Sequence, residues 1–110
     1  MMDQVVLDAT GKFVEEIKKS NIFIEYNIQK EKIKKHPDLF ERVKEYRKIN
    51  YELQSGSQAE ELFDKLDAFE KEYEKFRENP LVDDFLRAEL AFCRMIQEIN
   101  SKLMAELDFE

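Results

Sequence analysis

The sequence predicts an all-α fold: one domain over residues 1–110, about five helices, the last two paired as a long antiparallel hairpin in a helical-bundle homo-oligomer. Three observations carry that expectation. The chain holds only 2 Gly and 2 Pro, too few breaking residues for many short strands joined by turns. Apolar side chains recur at steps of three and four almost throughout, the period of a helix with one face turned inward. Hydrophobic residues at 43% are interleaved with charged ones at 39%, which suits helices that meet a core on one side and water on the other.

Residues 3–19 place Val6, Ala9, Phe13 and Ile17 along one side, giving a first amphipathic helix. Ser20 and Asn21 then offer side-chain oxygens suited to an N-cap, and Ile22, Phe23, Tyr26 and Ile33 continue a second, shorter helix that turns lysine-rich before His36. Cations there face the negative end of the helix dipole. Pro37 fits a first helical turn, with Asp38 and Glu41 near the positive end, and Leu39, Val43, Tyr46, Asn50 and Leu53 carry a third helix to about Gln54. Gly56 supplies a helix stop. Ser57 to Glu60 reads as a capping box, in which serine and glutamate side chains each satisfy the other's free backbone N–H. The fourth helix follows with Ala59, Leu62, Leu66, Phe69, Tyr73 and Phe76 in alternating steps of three and four, a heptad seam.

The corner Glu78-Asn79-Pro80 joins a favoured N-cap to a favoured first helical residue, and Asp83 and Asp84 suit the positive end of the helix it starts. Val82, Phe85, Phe92, Ile96, Ile99 and Leu103 keep the alternation, which Glu89 interrupts. Two seams joined by a tight corner predict the hairpin. Residues 80–107 as one helix are about 42 Å long. A compact chain of this size has a radius of gyration of about 13 Å, hence a diameter of roughly 34 Å, so the end is expected to project. Ile99, Leu103, Met104, Leu107 and Phe109 lie in or beyond that end, and a second stripe of Leu86, Leu90 and Cys93 widens the apolar arc. An apolar patch of that extent marks an interaction surface. The expectation is self-association, most simply a dimer, through Leu62, Leu66, Phe69, Tyr73, Phe76, Phe85, Phe92, Ile96, Ile99, Leu103 and Leu107.

A formal net charge of −7 argues against general affinity for nucleic acid, but residues 28–48 carry eight Lys/Arg against four acids. A solvated helix face is the plain reading of that segment. The functional one is a docking face for an acidic protein, with Lys30, Lys34, Lys35, Arg42, Lys44 and Arg47 as candidates, or a weak electrostatic contact with RNA.

The material for catalysis is thin. His36, the one histidine, has the apolar Ile33 and Leu39 at its i−3 and i+3 positions instead of the Glu-x-x-His pairing of a carboxylate-bridged metal bundle. Cys93 has little beside it to act as a base, so a small buried residue on a helix face is its expected role. Asp83 and Asp84 complement a helix start, and Glu89 either fixes register or pairs with an arginine of another helix. No catalytic residue, metal ligand or cofactor is expected, the rival being a small carboxylate-metal enzyme at a dimer interface. One cysteine, no signal-like N-terminal segment and no apolar run of membrane-spanning length place the chain in the cytoplasm, away from membranes.

With the helices placed, the sequence resembles the YlbF/YmcA/YheA family of small bacterial helical regulatory proteins. The likeness rests on Ser20 after an amphipathic helix, the aromatic pair Phe23 and Tyr26, the Pro37-Asp38 start, the Ser57 to Glu60 entry, and the segment NPLVDDFLRAELAFCRMIQEINSKL with its Ala88-Glu89 and Ile99-Asn100 pairs. The resemblance implies a cytoplasmic, self-associating protein of regulatory function. It further implies a link to competence, biofilm formation, sporulation or messenger-RNA processing by ribonuclease Y. Better-known members carry a cysteine-rich tail associated with an iron-sulfur cluster. With its single cysteine this sequence is similar to the tail-less, YheA-like branch, and no cluster is expected.

Overall fold

The computed structural model describes residues 3–56 and 59–108. Six α-helices follow one another: α1 (Gln4–Lys19), α2 (Asn21–Lys34), α3 (Pro37–Gly56), α4 (Ala59–Glu72), α5 (Glu74–Glu78) and α6 (Pro80–Glu106), with no strand among the described residues. The all-α class stands. The sixth element arises because the expected fourth helix is interrupted at Tyr73 (φ −101°, ψ 8°). Its hydrogen-bond ladder nevertheless continues across the interruption, from the Tyr73 N–H to the Phe69 carbonyl and from the Arg77 N–H to the Tyr73 carbonyl. The third helix runs through Gly56, two residues beyond its expected end. Ser57, and with it the expected capping box, lies outside the described residues.

The junctions follow from single side chains. Asp3 caps α1 by accepting from the Val5 N–H at 2.8 Å. Ser20 serves two helices at once: its hydroxyl donates to the Ile17 carbonyl at 2.6 Å and accepts from the Phe23 N–H at 3.2 Å, which closes α1 and caps α2. Asn79 is held extended (φ −60°, ψ 123°), as a residue before proline must be, and accepts from the Leu81 N–H at 3.0 Å to cap α6.

The core is small. Ile33, Val43, Phe69, Tyr73, Phe76, Val82 and Phe85 form one buried cluster drawn from α2, α3, the α4–α5 segment and the first two turns of α6, with Tyr26, Leu39, Phe40, Tyr46, Ile49, Leu53 and Leu86 packed around it. The corner at Asn79 sets α5 against the start of α6 as the hairpin expectation had it, but the extensive partner of α6 is α2, while α4 packs on α3. The reason lies in side-chain size and shape. Phe92 stacks on Tyr26 with ring centres 5.1 Å apart and meets Phe23 at 5.4 Å, while the small Ala88, buried opposite the equally buried Gln29, lets the two helices approach. Gln29 keeps a partner there, donating to the Glu25 carboxylate at 2.7 Å.

The chain is open for its size. Its radius of gyration is 17.9 Å and its extents are 50 × 37 × 22 Å, against about 13 Å for the radius of a compact chain of this length. Helix α6, 27 residues long, spans about 40 Å at the α-helical rise.

Candidate interaction surfaces

Helix α6 changes character along its length. Val82, Phe85 and Ala88 are buried, Phe92, Met95 and Ile99 half-buried, and Ile96, Leu103, Met104 and Leu107 exposed, Leu107 at 73%. The first half is therefore a core element of its own subunit, and the second half projects as expected. This divides the predicted self-association set. Phe69, Tyr73, Phe76 and Phe85 are consumed by the subunit core and offer a second copy no surface, because α2 and α3 already cover them. Leu66, Phe92 and Ile99 are half-covered, Ile96, Leu103 and Leu107 stay open, and the Leu62 side chain lies outside the description.

Helix α1 joins the open end. No residue of α1 is buried, and Val6, Leu7, Phe13 and Val14 are 41–52% exposed. Its principal contact is with α2 across the Ser20 junction. Between α1 and the end of α6 lies an apolar groove of about 420 Å³ lined by Phe13, Ile99, Leu103 and the stems of Lys102 and Glu106. The α1 stripe was legible in the sequence as an amphipathic face, but no residue of α1 was among those expected to take part in self-association. The signal for its other role was quantitative: two long apolar faces, on α1 and on the last turns of α6, exceed what a core of this size covers.

The basic segment is largely committed to the subunit itself. The Arg47 guanidinium pairs with the Glu89 carboxylate, tying α3 to α6, and lies 6.0 Å from the Phe85 ring. Glu89, half-buried on an otherwise apolar face, thus has the interhelix arginine that its position calls for. Arg42 sits over Phe76 and Tyr73 at 5.0 and 5.5 Å, Lys30 near Tyr26 at 5.6 Å, and Lys44 over Phe40 at 4.7 Å while bonded to Glu41 at 3.1 Å. Lys34 lies 3.9 Å from Glu31, and Lys35, the C-cap of α2, is exposed. Of the six candidates, Lys34 and Lys35 remain the most available to an acidic partner.

Burial first, then the carboxylates of Glu72 and Glu45, push the Tyr73 phenol above its ordinary value, with Arg42 opposing. Cys93 is exposed, contrary to the buried position expected. With the 50% exposed Leu90 it borders an open groove between α6 and Tyr46, Arg47 and Asn50 of α3, which leaves the thiol accessible. Among the described residues no group of three or more His, Cys, Asp or Glu is placed to hold a metal ion, and no helix is long and apolar enough to cross a membrane.

A family model described as "Control of competence regulator ComK, YlbF/YmcA" matches residues 6–108, nearly the whole chain and all six helices. No curated protein and no solved structure matches the chain.

Proposed function

We propose that this chain, which belongs to the YlbF/YmcA family, acts in the cytoplasm as a non-catalytic regulatory protein that assembles with copies of itself and with other proteins through helix faces. The family description ties the group to control of a competence regulator, and the resemblance extends that role to biofilm formation, sporulation or messenger-RNA processing. The observation that carries the reading is the apolar surface a lone subunit leaves in water: Val6, Phe13, Leu103, Met104 and Leu107 are each 44–73% exposed on two neighbouring arms. Free apolar surface of that kind favours association. Sedimentation equilibrium at tens of micromolar is the direct test. A mass above the 13.3 kDa of one chain supports the reading, and a monomer at that concentration removes its self-association half.

A further inference from the structure

Resting on that reading, we infer that the self-association surface is the arm formed by α1 and the last three turns of α6, and that its occupant is the same arm of a second copy, the two making an intermolecular four-helix bundle about a two-fold axis. Three observations lead there.

The first is area. A folded monomer of 13.3 kDa exposes about 6,500 Å² by the size scaling of compact proteins. This chain exposes 8962 Å². The surplus of roughly 2,500 Å² is spread over the chain, with Tyr51 and Phe63 contributing on α3 and α4 as Val6, Phe13, Leu103 and Leu107 do on the arm, and it leaves room for more than the ~800 Å² per partner of a standard interface.

The second is shape. The groove between Phe13 and Leu103 is lined by α1 on one side and α6 on the other, while Val6, Met104 and Leu107 stand out from the same two helices. One patch therefore presents both the projecting side chains and the slot that receives them, the self-complementarity a two-fold interface needs.

The third is charge. Residues 4–19 carry three acids and three bases, and residues 95–106 carry two acids and one base, so the arm is nearly neutral in a chain of net charge −7. Two such arms meet without the like-charge repulsion that two copies feel elsewhere, and a strongly acidic or basic partner finds no complement.

The test compares charge insertion on the arm with the same insertion on the other exposed stripe of α6. Full-length Phe13→Glu and Leu103→Glu, both at half-exposed positions, keep wild-type helicity by circular dichroism and raise the dimer Kd by at least about a hundredfold, since a closed interface would bury an unpaired carboxylate. Phe13→Ala, the milder change, raises it about tenfold. Leu90→Glu, at equal exposure on the flank beside Cys93, leaves Kd within about threefold of wild type. A wild-type dimer that survives both arm variants overturns the arm while sparing self-association, and so does one dissociated by Leu90→Glu alone. A wild-type monomer overturns both.

Discussion

Phe85→Ala separates a residue of the subunit core from a residue of an intersubunit seam. Phe85 is 1% exposed in the single chain, its ring edge-on to Phe40 at 6.4 Å and tilted against Tyr26 at 6.0 Å, with Arg47 closing the remaining side. Truncating a buried phenylalanine costs about 3–5 kcal/mol, the transfer of the ring plus the cavity it leaves. Here the cavity persists, because helices from three parts of the chain wall it and α6 is fixed beside it by Arg47 and Glu89. Domains are held by about 5–15 kcal/mol in total, so the variant loses a large share of its stability. At a urea slope of roughly 1–2 kcal/mol/M the midpoint falls by about 1.5 M or more. Phe85→Leu, which refills most of the space, costs about 1–2 kcal/mol. The assay is urea unfolding followed by far-UV circular dichroism at two protein concentrations, since the stability of a dimer rises with concentration and that of a core does not. The loss should be the same at both. A loss under about 1 kcal/mol, or a Phe85→Ala chain that stays folded and merely becomes monomeric, would refute the assignment and return Phe85 to a seam between copies.

Two further outcomes follow from the pairs that hold the helices in place. In a double-mutant cycle of Arg47→Ala and Glu89→Ala, the coupling is about 0.5–1 kcal/mol, reduced from a buried pair because Arg47 is 42% exposed, and it weakens in high salt; strictly additive losses would show that the pair does not tie α3 to α6. The raised Tyr73 phenol sets an alkaline limit: its stabilising contribution is complete below the unfolded value near 10 and is lost as pH rises through the higher folded value. Thermal unfolding of the wild type therefore falls more steeply above about pH 10 than that of Tyr73→Phe, and parallel profiles would place the phenol in water.

The residue pattern determined the local half of this structure. Caps at Ser20 and Asn79, the proline starts at Pro37 and Pro80, and the three-and-four spacing from Val6 to Leu103 are decided within a turn or two of chain, so they are readable without knowing what each helix touches. The interhelix arginine offered for Glu89 was legible for the same reason, since an acid on an apolar face has few ways to be satisfied.

Partner choice was not legible. A heptad seam says that a helix needs an apolar neighbour and leaves open which one; only the tertiary structure gave α6 to α2, because Ala88 lets the two approach and Phe23 and Tyr26 of α2 meet Phe92. The same choice decided which apolar residues are spent. With α2, α3 and the α4–α5 segment closing over Phe69, Tyr73, Phe76 and Phe85, those side chains became core, while Phe13 and Leu103, of equal hydrophobicity in the sequence, were left facing water. Hydrophobicity belongs to each residue, but exposure belongs to the packing of all of them. That is why the sequence foretold helices with apolar faces, and only the fold decided which of those faces are buried and which meet water.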